Sequence, residues 1–358
     1  MIYVEKGYEK FFLGANSCEG FVSHFGDSYD PADGWRVYII KGGPGTGKSS
    51  FMKYMAARAR EKGITVVLCM CSSDPNSLDG IILKETKTVF LDGTAPHVVE
   101  PKLVGACEEI INLGQFWDGE YLKSYADEIM LATRRNSELH KGAAMYLRAA
   151  GDLMRESLAR AKKQTDTARA VSFAEGLCRR KIPQKGGKGR EWVRFIGGIT
   201  PLGVVAYTDT PLTLCKNRVI ISDRHGSVSS VIMNTVRQWA LSSGYEILTL
   251  KNPFLPSLLC DHIIIPELSL AFLTENPYIT FDCDDRRIHA RRFIKPTSAA
   301  GGKQQSRFID RTARELILCA CRMLSQAKSA HDQLEKFYID AMDFEAVSLF
   351  AEEIAEKI

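Results

Sequence analysis

The sequence predicts an α/β protein in which one unit is used twice, each copy ending in a helical extension. Three observations carry this. An apolar strand runs straight into a glycine-rich turn and an amphipathic helix over residues 36–63. A set of short segments recurs in the same order at nearly constant spacing. Long runs rich in Ala, Leu, Glu, Arg and Lys close each copy, at 103–182 and 306–358. Alternating strand and helix patterns predict largely parallel sheets, each covered by helices on both faces as a three-layer αβα unit.

The 358 residues leave room for two such units and their cores. Apolar residues make up 45% and charged residues 25%, the balance of a globular chain rather than a disordered one. Lys and Arg number 47 against 43 Asp and Glu, a net charge of +4 that is too mild to indicate a nucleic-acid surface. No run approaches the ~18 apolar residues of a membrane span. The opening MIYVEKGYEKFF lacks the basic start and apolar core of a secretory signal. The ten cysteines form no CxxC pair and no repeating Cys/His spacing, so neither a disulfide framework nor a zinc site is expected, and a cytoplasmic setting is.

The strand comes first. Val37 to Ile40 is a short apolar run. It leads into Gly42, Gly43, Pro44, Gly45, Thr46, Gly47, Lys48 and Ser49, which fit G-x-x-x-x-G-K-S/T in full, with Ser50 beside them. Phe51, Met52, Met55, Ala56 and Ala59 then recur at helical spacing, and Gly63 is the expected stop. Glycines allow a tight turn that turns several N–H groups onto phosphate oxygens. The following helix aims its positive end at the same oxygens. In this pattern Lys48 reaches the β- and γ-phosphates, and the Ser49 hydroxyl ligates Mg²⁺.

Such a loop needs a second carboxylate for the metal. Thr88 to Asp92 supplies an apolar strand ending in an acid, followed by Gly93. Asp92 is therefore assigned to Mg²⁺ together with Ser49, and Lys48 and Asp92 to catalysis. No glutamate follows Asp92, so a catalytic base has to come from elsewhere, with Asp74, Glu85 and His97 as candidates. No N-K-x-D element marks a guanine site, which leaves ATP as the nucleotide by elimination.

The repeat comes next. Phe12-Leu13-Gly14 matches Phe195-Ile196-Gly197, and Asp79-Gly80-Ile81-Ile82 matches Asp261-His262-Ile263-Ile264. Ala170-Val171-Ser172 matches Ala346-Val347-Ser348 near the ends. The copies span 1–182 and 190–358, joined by the Gly- and Lys-rich connector 183–190. Aligning them places Val228 at the position of Lys48, Thr274 at that of Asp92, and Asp223 in the turn. The second copy is expected to keep the fold and lose Mg-ATP binding. Arg224 and His225 could hold another anion there, or simply lie on a surface turn. The helical runs have apolar residues at three and four, as expected for extensions that pair with each other.

The chain resembles an uncharacterised family of bacterial ATPase-like proteins with two tandem P-loop units. The likeness rests on FFLGANSCEGF, IIKGGPGTGKSS, CSSDPNSLDGIIL and VFLDGTAPHVVEP in the first copy, and on FIGGITPLG and DHIIIPEL in the second. It implies a P-loop NTPase fold and ATP binding, with phosphate loops often present in both units, from which this chain departs. It also implies that Asp92, Thr94 and His97 lie together at one end of the sheet. Asp79 and Glu85 recur as Asp261 and Glu267 in the copy without the loop, which favours a role in the fold for both.

The expected function is Mg²⁺-dependent ATP binding and hydrolysis at one active and one degenerate site. The rivals are a small-molecule kinase with its own acceptor, and a non-hydrolysing switch acting on a protein partner. Neither a membrane nor a nucleic acid is expected as a partner.

Overall fold

The computed structural model describes residues 8–295 and 302–358. The first copy runs β1 (Glu9–Phe11), β2 (Gly14–Ser17), β3 (Gly20–Ser23), β4 (Arg36–Lys41), α1 (Lys48–Glu61), β5 (Val66–Met70), β6 (Leu78–Leu83), β7 (Thr88–Asp92) and β8 (Glu108–Asn112). Its extension is α2 (Gly119–Ser124), α3 (Ala126–Gln164) and α4 (Thr167–Lys181). The second copy runs β9 (Arg190–Arg194), β10 (Gly197–Thr200), β11 (Gly203–Ala206), α5 (Asp209–Leu214), β12 (Asn217–Ser222), α6 (Ser229–Ser242), β13 (Glu246–Lys251), β14 (Cys260–Ile265), β15 (Leu270–Glu275) and β16 (Arg287–His289). Its extension is α7 (Gly302–Ala341) and α8 (Phe344–Glu356). Among the described residues, no helix is long and apolar enough to cross a membrane.

Each copy forms one six-stranded sheet, ordered β1-β5-β6-β7-β4-β8 in the first and β9-β13-β14-β15-β12-β16 in the second. The two orders match strand for strand. Register confirms the sequence alignment at its decisive point: Ile40 pairs with Asp92, and Ile221 with Thr274. The expectation of largely parallel sheets needs correction. β6 and β14 run antiparallel to both neighbours, so both sheets are mixed. Their direction follows from short connections on either side, which allow hairpins where a parallel neighbour would need a long crossover.

The three-layer expectation also needs correction. In β4, Tyr38 and Ile40 join a core with α1 and α8, whereas Val37 and Ile39 face the other way. In β12, Val219 and Ile221 join a core with α4 and α6, whereas Ile220 turns inward. The inward residues of both sheets, among them Val67, Leu91, Leu250, Ile264 and Leu273, form one shared apolar layer. The architecture is therefore helix, sheet, sheet, helix, and each sheet uses the other where a second helical layer was expected. A strand buried on both faces shows the same apolar run whichever element covers it.

The extensions pair, as expected. α3 and α7 pack side by side around Ala143, Leu147, Ala150, Leu158, Ile317, Ala320 and Leu324. They run antiparallel: Tyr125 meets Phe337, and Gly142 meets Met323. Their short successors are exchanged between copies. α4 follows the first copy but packs on α6, and α8 follows the second but packs on α1. Pseudo-twofold symmetry relates the contacts. Phe12 and Phe195, equivalent positions, exchange reciprocal backbone hydrogen bonds of 2.8 and 2.9 Å. The bridges Trp117 to Met342 and Thr165 to Ile294 are likewise equivalent.

Candidate functional site

The first candidate site lies where β4 ends and α1 begins. Gly47 is the N-cap of α1, in the left-handed region at φ 88°, and no side chain caps the helix. The helix closes at Gly63, whose N–H and that of Ile64 bond back to the carbonyls of Arg60 and Ala59, a stop readable in the sequence. Thr46 is buried and donates its hydroxyl to the Gly43 carbonyl at 2.9 Å, bracing the turn from within. Lys48 curls back over the loop, donating to the carbonyls of Gly42 (3.2 Å) and Gly43 (2.8 Å). Its ammonium lies 3.8 Å from the Asp92 carboxylate, at the end of the adjacent parallel strand. Ser49 accepts the Leu78 N–H at 3.0 Å through its hydroxyl oxygen, while Ser50 is exposed.

The segment after β7 folds back over the same end of the sheet. Asp92 accepts the Thr94 N–H (2.9 Å) and hydroxyl (2.6 Å), a local turn that fixes its carboxylate. Lys41 donates to the carbonyls of Gly93 and Val99, at 2.9 Å each, and pins the segment down. This brings His97 inward, 7% exposed, with its ring stacked on Phe25 at 4.5 Å. Its Nε2 is 3.8 Å from Asp79 and 4.0 Å from Asp92, and neither ring nitrogen has a hydrogen-bond partner. Burial pushes the imidazole down to about 4, so it is neutral near pH 7. Burial also holds the Asp79 carboxyl well above the usual range, with the nearby Asp92 charge adding to it. The Cys71 thiol and Lys48 oppose that rise.

Of the three candidate bases, only His97 reaches this cluster. Asp74 closes a turn on the Asn76 N–H and Ser77 hydroxyl, and pairs with Lys328 of α7 at 3.4 Å. Glu85 is tied to the N–H and hydroxyl of Thr65 at the far end of β6. Asp79 is the residue that sequence reasoning set aside. Its recurrence as Asp261 spoke for the fold, yet what gathers around it, Asp92 and His97, is present in one copy only.

The loop is also covered by the other copy's extension. A Cβ at Gly43 would lie 2.6 Å from the Tyr338 ring, and one at Gly45 2.6 Å from the Glu335 carbonyl oxygen. Gly45 sits at φ 72°, so both backbone shape and the approach of α7 demand glycine there. Nothing in the local sequence signals this contact, which joins residues nearly 300 positions apart.

In the second copy the equivalent turn is filled from within. Asp223 accepts the N–H groups of Val228 and Ser229 at 2.8 Å each, both buried, and that of His225 at 3.2 Å. Its carboxylate thus sits on the N–H groups at the positions of Lys48 and Ser49, where a helix N-terminus would otherwise take an anion. Arg224 is paired with Asp310 (2.8 Å), and the His225 ring with the Ser157 hydroxyl (3.0 Å). Replacing Asp223 with Ala is expected to cost about 1–3 kcal/mol, since buried donors lose their acceptor. Inorganic phosphate should restore part of that loss in the variant and leave the parent unchanged, as thermal melts would show.

Comparison with protein-family models, with curated proteins and with solved structures returns no match for this chain.

Proposed function

We propose that the chain is a P-loop NTPase that binds ATP with Mg²⁺ at residues 42–50 and hydrolyses it, with one working site. The observation that carries this reading is Lys48 held 3.8 Å from Asp92 across two parallel strands, beneath an uncapped helix N-terminus. The residues fit the ligand. The N–H groups from Gly43 to Ser49 would cradle the phosphates, and the α1 dipole favours their charge. Lys48 would leave the carbonyls of Gly42 and Gly43 for the terminal phosphate and neutralise charge developing on it. Ser49 keeps an oxygen lone pair beyond its bond from Leu78, and with Asp92 would hold Mg²⁺. The bound cation supplies further charge neutralisation at the phosphate oxygens.

The cover of α7 over the loop favours a second reading, a switch in which ATP displaces or locks the Tyr338 and Glu335 contacts without turnover. A kinase would instead transfer the phosphoryl group to a small acceptor. ATP binding and consumption by the parent protein and by Lys48→Ala, with and without candidate acceptors, separate the three. Hydrolysis without acceptor, reduced on the order of 10²–10³-fold in Lys48→Ala, is the expected result. Tight binding with no turnover selects the switch, and acceptor-dependent turnover the kinase. Unchanged ATP binding in Lys48→Ala would remove the site assignment itself.

A further inference from the structure

Behind Lys48, the first copy gathers a donor set that the nucleotide reading uses only in part, through Asp92. Asp79, Asp92 and His97 each present one ligand atom, and these atoms lie within 4.8 Å of one another. All three residues are buried, at 3%, 8% and 7% exposure. Two carboxylates and an imidazole converge behind a single cation, Lys48, whose ammonium lies 3.8 Å from Asp92. His97 is the independent sign of a missing partner: a ring more than nine-tenths buried, with both nitrogens unpaired and Nε2 3.8 and 4.0 Å from the two acids. Leaving such groups unsatisfied is costly, and native interiors avoid it.

The surroundings hold the three groups in place. Phe25 stacks on the His97 ring at an interplanar angle of 18°. Thr94 fixes Asp92 with its N–H and hydroxyl, and the Cys71 thiol lies beside the Asp79 carboxyl. Fixed orientation of the ligating groups by outer partners is the usual form of a metal centre. The second copy provides an internal control. There Asp261 survives, but the partner positions are Thr274 and Ile279, and Asp261 takes the Asn252 amide at 2.8 Å instead.

We infer that Asp79, Asp92 and His97 bind a divalent first-row transition-metal ion, of the series from Mn²⁺ to Zn²⁺. One imidazole and two carboxylates suit these ions, whereas Mg²⁺ prefers oxygen alone. Three protein ligands leave at least one position open to water or a bound group. The site stands apart from the ATP reading and shares only Asp92 with it.

The test uses untagged, nucleotide-free protein and Mn²⁺ or Co²⁺ alone. One equivalent of Mn²⁺ should bind, with a nitrogen coupling from imidazole in its pulsed EPR spectrum, and excess Mg²⁺ should not displace it. His97→Gln should abolish the nitrogen coupling and weaken binding by more than about 100-fold, beyond what outer-shell changes cost. Asp79→Asn should weaken it as well. If His97→Gln does not fold, the coupling in the parent protein decides alone. Lys48→Ala should lose ATP and keep Mn²⁺, so the two assignments fail separately. No uptake of either metal, uptake without nitrogen coupling, or uptake unchanged in a folded His97→Gln would each overturn the inference.

Discussion

Replacing Gly45 with valine should both unseat the long helix α7 from the loop and remove the nucleotide binding proposed for that loop. A β-branched residue at φ 72° is strained by about 1–2 kcal/mol before any contact is considered. Its Cβ would also meet the Glu335 carbonyl at 2.6 Å, and the Ile339 side chain at 3.1 Å. The backbone carbonyl belongs to a helix and cannot turn aside as a side chain can, so either the loop or α7 must move. A total cost of about 2–4 kcal/mol follows, in the range of overpacked core sites. Gly63 is the control, since it shares a positive φ of 78° but faces open space. Gly63→Val should therefore show the backbone strain alone. Denaturant unfolding of the two variants, with ATP titration of each, checks both halves of the expectation. Equal stability losses in the two would mean that α7 does not rest on the loop.

Asp261→Asn should stabilise the protein at neutral pH and leave it unchanged in acid. The Asp261 carboxyl is 2% exposed, and burial pushes it up to about 7, with the Asp223 charge adding to the rise. The Asn252 amide donates to it at 2.8 Å and offsets only part of this. A carboxyl raised in the folded state binds its proton more tightly there than in the unfolded chain, where it titrates near 3.9. Its stabilising contribution is thus complete below about pH 4 and lost as the pH rises through about 7. An amide cannot ionise, so the gap between variant and parent should open across that window, by up to about 4 kcal/mol, and stay level above it. Unfolding free energies of both proteins at about pH 4 and about pH 8 provide the measurement. A gap that ignores pH would place the Asp261 titration near its ordinary value.

What could be read from the sequence was whatever local spacing dictates. The turn between β4 and α1, the stop at Gly63, and Asp92 at the end of β7 all follow from residue types at fixed separations. The loss of Lys48 and Asp92 in the second copy was legible because two copies could be laid side by side. Strand direction was not, because LDGIIL is equally apolar whichever way it runs, and only its pairing with β5 and β7 sets it. The shared layer between the sheets was hidden for a related reason. The unbroken apolar run in RVYIIK says that both faces are covered and is silent on what covers them. The exchange of α4 and α8 was invisible because amphipathic helices carry no address. Asp79 did not stand out as a site residue because persistence in the second copy was weighed, while the partners that change around it, Asp92 and His97, come near it only in the fold.

The crossing of α8 sets the order in which the chain can complete itself. The apolar face of the first sheet receives Val347, Ala351, Ile354 and Ala355, and Lys62 reaches the Ala355 carbonyl across 293 residues of sequence. As the chain emerges from the ribosome, the first copy can form its strands and α1 long before its cover exists. The second copy meets no such delay, because α4 has already been made when α6 appears. Contacts this distant in sequence slow folding and leave apolar surface open to aggregation while they are awaited. The half that carries the intact glycine loop is therefore the last to close.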